Sequence, residues 1–564
     1  MTLDRRSFLR IAGGLTGAIS CTPWLLADAP EQSGEFAADV AIIGGSLGGC
    51  AAAIAALRRG LTVVMSEETD WIGGQLTSQI VPPDEHAQIE TRGANASYRK
   101  FRRDIRAYYR DHYPLTDAAK SQTNLNPGGG SVSRLCHEPR VALAVLTEML
   151  APYQNSGKLT LLLEHVPVQA DMQGDRISSV TVRSLNKGSE QTLTAPYFID
   201  ATELGDLLPL TGTEYVTGAE AKADTEELHA ADVAAPANQQ AFTVCFPLQF
   251  VAGKDFVGDR PADYDFWRDY VPALTPPWSG KLLDLSYSSP RDLKPKKLGF
   301  DPTGAATPGS LNLWLYRRIL NTANFLPGSF AGSATLVNWP QNDYVLGNLI
   351  DVSEAEKQKH IHQAKQLSLS LFYWLQTECP RSDGGAGFAG LRLLPEMTGT
   401  TDGMAKYPYI RESRRIIAET RITELHVGAE QRSVITGQSG KQLKAKSFAD
   451  SVGVGSYHID LHPSSGGDNY IDFASLPFQI PLGAMIPRRI ENLIPACKNI
   501  GTTHLTNGCY RLHPVEWGIG EAAGCLVSFA LEKKETPRGI RSAPDKLADF
   551  QRSLTAEGFE LAWS

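Results

Sequence analysis

"DVAIIGGSLGGCAAAIAALRRG" (Asp39–Gly60) is the stretch that decides the fold. Ala38–Ile43 is a short apolar run, and Cys50–Arg59 is Ala-rich and stopped by Gly60. The pattern predicts a buried strand, a glycine turn and a helix. The turn has two incompatible parses. Gly44-Gly45-Ser46-Leu47-Gly48 fits G-x-S-x-G, the strained elbow that presents a hydrolase's serine nucleophile. Gly44-x-Ser46-x-x-Gly49 is one residue short of G-x-G-x-x-G, the loop that admits a dinucleotide pyrophosphate.

The flanking sequence separates them. Leu61–Ser66 is a second apolar strand and ends in Glu67-Glu68. Glu67 falls near the spacing of about 20 residues at which an acid accepts hydrogen bonds from an adenosine ribose. A hydrolase elbow needs no such acid and normally follows several strands, whereas this turn opens the mature chain. Ser46 therefore reads as a replaced glycine whose hydroxyl can donate to a phosphate oxygen. The helix start at Gly48–Cys50 adds amides and a positive dipole. A serine hydrolase acting through Ser46 is the losing alternative.

The 564 residues, 42% hydrophobic and 21% charged, allow two or three domains around sizeable cores. A net charge of -8 gives no basic face for nucleic acid. Asp4-Arg5-Arg6-Ser7-Phe8-Leu9-Arg10, followed by the weakly apolar Ile11–Leu26, is a twin-arginine pattern. It predicts export of the folded protein by the Tat machinery, with cleavage near Ala27-Asp28-Ala29. A lipoprotein anchor at Cys21 is the weaker alternative. The eight cysteines contain no C-x-x-C pair and read as buried hydrophobes, and no histidine metal signature occurs, so no metal is expected.

After Glu67 comes Thr69-Asp70-Trp71-Ile72-Gly73-Gly74-Gln75-Leu76-Thr77, a paired glycine that lets the chain fold back across a flat ligand. Here the chain resembles the glutathione-reductase-type FAD flavoproteins. Among them it resembles the FAD-dependent oxidoreductases of exported bacterial proteins, some labelled xanthan-lyase-like. The resemblance recurs at Cys136-His137-Glu138-Pro139, and at Asp200-Ala201-Thr202-Glu203-Leu204-Gly205-Asp206-Leu207, which is similar to the family's Ala-Thr-Gly loop. It recurs again at Val337–Tyr344, Arg411–Arg415, Glu491–Ile500 and Gly518-Ile519-Gly520-Glu521-Ala522-Ala523-Gly524. Carried over, it implies bound FAD contacted by Gly44, Gly45, Ser46, Gly48, Gly49, Glu67, Gly73, Gly74, Gln75, Leu76, Asp200, Ala201, Gly205, Asp206 and Asn499. It also implies that a helix N-terminus at Gly518, Gly520, Glu521 and Ala522 lies under the flavin. One departure is Ala496-Cys497-Lys498, where the family usually has Ala-Gly-Asp or Ala-Gly-Arg. An Asp there binds the ribityl hydroxyls; Lys498 cannot accept a hydrogen bond and would instead meet a phosphate.

The expected fold is α/β, with a Rossmann-type FAD-binding domain that is discontinuous in sequence (36–220 and 480–535). An α+β substrate domain is inserted at 221–479. A signal segment at 1–30 and a tail at 536–564, read as a surface helix, complete the chain. The expected reaction moves a hydride from a small periplasmic substrate onto flavin N5, with oxygen, a quinone or a cytochrome as the electron acceptor. A non-redox FAD scaffold and a polysaccharide lyase are the alternatives. Histidine suits the base, and the candidates are His458, His462 and His513, with His504 nearby. Arg511 would bind an anionic group or steady reduced flavin. The bland readings are a turn for His462, cofactor packing for His513 and a solvated face for Arg411, Arg414 and Arg415. The tryptophans Trp267, Trp278 and Trp339 read as core.

Overall fold

Residues 34–304 and 310–563 are described in this computed structural model. The twin-arginine segment, Cys21 and the cleavage region lie outside the described residues.

Five short apolar runs form one parallel sheet: β1 (Val40–Ile43), β2 (Val63–Glu67), β3 (Leu159–Leu163), β4 (Tyr197–Asp200) and β5 (Leu493–Pro495). Their spatial order is β5-β4-β1-β2-β3, and each neighbouring pair is parallel. Strands covered on both faces need apolar residues at every position rather than alternation. All of β1, β2, β4 and β5 are buried accordingly. The order reverses between β4 and β1, and the crevice at the carboxyl ends of strands at such a point is where open α/β sheets take ligands. The fifth strand arrives from nearly 300 residues after β4, so both chain segments build one sheet.

Helix α1 (Leu47–Arg58) follows β1, α2 (Pro139–Asn155) precedes β3, and α3 (His513–Lys533) follows β5. Glycines let α1 and α3 approach to backbone contact: a Cβ at Gly520 would overlap the Gly48 carbonyl, and one at Gly524 the Ala52 carbonyl. The Ala-rich sequence of α1 serves this close packing. Between β3 and β4 runs an antiparallel excursion, His165–Gln173, Arg176–Ser184 and Glu190–Thr194.

A second, antiparallel sheet has the order Arg318–Leu320, Ala334–Val337, Phe246–Phe250, Leu391–Leu393. The helix Glu354–Thr377, opened by a Ser353–Glu356 capping box, packs beside it. Trp267, Trp278 and Trp339 are buried in this region's core. Two readings need correction. The tail after 535 is two helices that bury Phe550 and Leu554, because its apolar side closes over the main core. Arg411, Arg414 and Arg415 are buried rather than solvated, each held by a carboxylate: Asp343, Asp206 and Glu412. No helix among the described residues is long and apolar enough to cross a membrane.

Candidate functional site

Gly44 has φ +96°, and a Cβ there would overlap the Ala201 carbonyl, so the first glycine of the turn is required twice over. Ser46 is the N-cap of α1: its Oγ accepts the Gly49 amide at 3.2 Å. Its φ of -57° is relaxed, and among the described residues no histidine bonds to it. The strained elbow of a serine nucleophile is absent, and the hydroxyl's hydrogen-bonding role is capping. Ser46→Ala should therefore lower stability by about 1 kcal/mol, the usual worth of an N-cap. A fluorophosphonate probe should leave the parent unlabelled at Ser46; labelling there would revive the hydrolase.

The cleft beside this turn is lined by Gly44, Glu67, Gly74, Ala201, Glu203 and Asp206, among others. Gly73, with φ +105°, donates its amide to the Gly45 carbonyl at 2.7 Å, so the paired-glycine segment folds back onto the turn. The Ser46 and Leu47 amides find no acceptor among the described residues, and both lie at the positive end of α1. Glu67 is fixed by the Gly45 amide at 2.8 Å and the Thr69 amide at 2.9 Å. Burial pushes its carboxyl up to about 7 against the pull of these bonds. Burial likewise raises Asp200 to about 7, and its Oδ2 has no partner. Ser66 Oγ, Gln79 Nε2 and Glu203 Oε1 are also buried and unpartnered. Free amides beside the unsatisfied carboxylate oxygens of Asp200 and Glu203 are what a diphosphate next to a polyhydroxyl group requires, so these residues fit FAD. Glu67→Ala should weaken FAD binding about tenfold to a hundredfold, because it removes a charged acceptor worth about 1.5–3 kcal/mol. Equilibrium dialysis of FAD checks this, and unchanged affinity would place the ribose contact elsewhere.

Several expected cofactor contacts are corrected. Helix α3 starts at His513, so the amides of Gly518, Gly520, Glu521 and Ala522 lie inside the helix and are not free for a ligand. Gly520 is glycine because Gly48 touches it. Glu521 faces Asn95 at 2.9 Å and Arg58 at 3.1 Å. Asn499 ties β4 to β5, donating to the Asp200 carbonyl at 3.1 Å and accepting the Cys497 amide at 3.1 Å. The first turn of α3 instead presents Glu516, which accepts the Gly48 amide at 3.1 Å. Lys498 is buried between Glu203 and Glu516, the latter at 3.5 Å. Its ammonium also lies 3.4 Å from Cys497 Sγ, among Glu203, Cys497 and Glu516, the one group of three possible metal ligands among the described residues. Lys498 is thus already paired and not free for a phosphate.

The candidate catalytic residues come together on one strand face. In Ile459–Leu461 the residues Ile459 and Leu461 point into the core, so Asp460 faces the other way with His458 and His462 on either side. Arg511 donates to the Asp460 carbonyl at 3.0 Å and lies 3.5 Å from its carboxylate. Arg511 also reaches Tyr409 at 3.4 Å, Tyr409 bonds Gln75 at 3.3 Å, and Gln75 bonds the Arg511 carbonyl at 3.1 Å. This chain of contacts joins the cluster to the paired-glycine segment. Asp460 is held below the usual carboxylate range: burial opposes this, but His462 and Arg511 outweigh it.

The histidines differ. His458 Nδ1 bonds Asp472 at 2.6 Å, and 40% of its side chain is exposed. Burial lowers its affinity for the proton, yet the Asp472 bond and the Asp460 charge leave it raised above its ordinary value. His462 lies between two carboxylates, Asp343 at 2.6 Å and Asp460 at 3.8 Å. His513 Nδ1 accepts the Asp84 amide at 3.1 Å, which fixes the tautomer with hydrogen on Nε2. Burial pushes it down to about 4. His513 therefore has a donor and no free lone pair, and the base role predicted for it is corrected. His504 bonds the buried Glu412 at 2.8 Å and belongs to the Arg415 network. Sequence reasoning missed Asp84, whose carboxylate grips Arg317 at 3.0 Å, as well as Tyr409, Glu203 and Glu516.

Among curated proteins nothing matches the chain. Similar solved structures include an L-proline dehydrogenase from P. horikoshii, at 17% identity over 34% of this chain and 25% of that one, with a TM-score of 0.17. A flavin-dependent monooxygenase solved with FAD and substrate is 14% identical over 38% of this chain and 35% of that one, with a TM-score of 0.22. The chain thus spans about a quarter to a third of the length of those two. A geranylgeranyl bacteriochlorophyll reductase-like protein from Thermoplasma acidophilum is 12% identical over 93% of this chain and 85% of that one, with a TM-score of 0.31. These likenesses are too distant to carry an argument. The family model of FAD dependent oxidoreductases matches residues 39–554, a span that includes the glycine turn, both segments of the sheet and the histidine face; the chain belongs to the FAD dependent oxidoreductase family.

Proposed function

We propose that the protein oxidises a small, neutral, hydroxyl-bearing molecule at the face formed by His458, Asp460 and Arg511. The supporting observation is the pairing of charges there. Arg317, Arg411 and Arg511 lie against Asp84, Asp343 and Asp460, so the cluster has no surplus cation to demand an anionic substrate. Arg511 then serves as a hydrogen-bond donor rather than as the anion receptor expected from sequence. Bound FAD supplies the acceptor for two electrons. His458 takes the substrate hydroxyl proton at Nε2, because Asp472 holds Nδ1 and no carboxylate engages the other nitrogen. His462, with a carboxylate at each nitrogen, orients Asp460 and does not need to exchange a proton. Asp4–Arg10 supports export, which would place the substrate in the periplasm.

An anaerobic screen of sugars, polyols, amines and hydroxy acids, following loss of the visible flavin band, tests the reading. Bleaching by a neutral hydroxylated compound is expected. If only amines or carboxylates bleach the flavin, the substrate class is wrong; if nothing does, a non-redox scaffold or a lyase gains. Reoxidation of the bleached protein by air would mark an oxidase, and its persistence until a quinone or cytochrome is added would mark a dehydrogenase.

A further inference from the structure

The cofactor cleft contains an acid that no motif explains. Glu203 occupies the position that follows Ala201-Thr202, at the carboxyl end of β4. Its two carboxylate oxygens have different surroundings. Oε2 is held by the Lys498 ammonium. Oε1 is buried without a well-formed hydrogen bond, the Gln79 amide beside the carboxylate being likewise unsatisfied, and it comes within 2.5 Å of where a Gly74 Cβ would be. That same Cβ position lies 3.0 Å from Ser46 Cα and 3.3 Å from the Leu47 amide nitrogen. Gly74 is therefore the residue that gives the Glu203 carboxylate room beside the glycine turn.

These placements give the cleft a polar order. Glu67 lies on the Gly45 side of the turn, as the acceptor at one end. The unpaired Ser46 and Leu47 amides come next, as donors. Glu203 follows on the Gly74 side, again an acceptor, and behind it are Lys498 and Glu516. Gln75 and Arg511 then lead to the histidine face. FAD presents its polar groups in the matching order: the ribose diol, the diphosphate, the ribityl hydroxyls and the ring. A buried carboxylate oxygen without a donor costs free energy until a hydroxyl supplies one.

We propose that Glu203 Oε1 accepts hydrogen bonds from the ribityl hydroxyls of FAD, and that Lys498 acts as the positioning residue that aims it. The lysine at 498 and the carboxylate at 203 then form one device: the ammonium neutralises and orients an acid that reaches the cofactor from β4. The proposal rests on FAD as the cofactor, and its test separates the two claims, because ADP shares the ribose and diphosphate of FAD but lacks the ribityl chain.

The experiment measures the affinity of the apoprotein for FAD and for ADP by titration calorimetry, in the parent and in Glu203→Gln. The expected result is FAD affinity reduced about tenfold to a hundredfold, with ADP affinity unchanged. Equal weakening of both ligands would make Glu203 a structural residue and overturn the proposal. Tightening of both would mean that Glu203 repels the diphosphate, and unchanged FAD affinity would mean that it touches nothing; either result also overturns it. A parent that binds ADP but not FAD would remove the cofactor reading itself. Should Glu203→Gln fail to fold, Glu203→Asp keeps the charge on Lys498 while withdrawing the oxygen from the cleft. The same selective loss of FAD is then expected, and a parallel loss of ADP would contradict the proposal.

Discussion

His458→Ala should slow reduction of the bound flavin by about 10²–10⁴, the range that removal of a general base produces, while FAD stays bound. The proton must leave the substrate hydroxyl as the C–H bond breaks, and His458 has the one imidazole on that strand face with a nitrogen not engaged by a carboxylate. The pH dependence follows from its surroundings. Burial opposes protonation of His458, but the Asp472 bond and the Asp460 charge raise it, and only the neutral ring can accept a proton. The rate should therefore rise with pH across a limb lying above about 6.5. Asp472→Asn removes the carboxylate charge that helps to raise His458 and should move that limb to lower pH. Stopped-flow traces with the best compound from the screen would show both effects. A His458→Ala variant that is reduced at the parent rate would transfer the base role to His462, and an unmoved limb in Asp472→Asn would show that His458 does not set it.

Gly520→Ala and Gly518→Ala, two residues apart on α3, should behave oppositely. A Cβ at 520 would overlap the Gly48 carbonyl, which belongs to the first turn of α1 and cannot move without disturbing the glycine turn. Separating the two helices should cost about 3 kcal/mol and release FAD. At 518 the nearest atoms to a new Cβ are Ile480 Cδ1 at 3.7 Å and Asn95 Nδ2 at 3.9 Å, ordinary contacts. Replacing a glycine inside a helix then stabilises, by about 0.5–1 kcal/mol. Urea unfolding of both variants, read alongside flavin absorbance, checks the pair. Equal destabilisation would mean that position 518 carries a role besides helix packing, and a harmless Gly520→Ala would contradict the α1–α3 contact.

The fold was legible because its signals are local and strong. Asp39–Gly60 has apolar runs of the right length, glycines where backbone meets backbone, and an acid at the end of the next strand. The strand at 493–495 was legible only by resemblance, since three residues carry no period of their own. The interior glycines of α3 were misread for a physical reason: glycine serves a ligand-facing amide and a helix–helix contact equally well, and only the packing partner distinguishes them. The start of α3 was marked in the sequence by Pro514, which belongs in a first helical turn. Ser46 lacks the strained geometry of a nucleophile elbow, but its capping role was missed even though Ser before a helix is the commonest cap signal.

At the candidate site, the sequence supplied the histidines as residue types suited to a base but not the strand face they share. What periodicity could not supply were the partners. Asp472, Asp343 and Asp84 come from distant segments, and these decide which histidine has a free nitrogen. Glu203 did leave a signal, a carboxylate where the resembling loop has glycine, and Lys498 was noticed as a departure. Neither is informative alone, because each explains the other only once β4 and β5 lie side by side.

The most direct test of the account is the identity of the cofactor in the purified protein. The protein should be yellow, and acid should release FAD in an amount equal to one per chain, as expected for one cleft built by both chain segments. Release of FMN, or a colourless protein that FAD does not reconstitute, would contradict it.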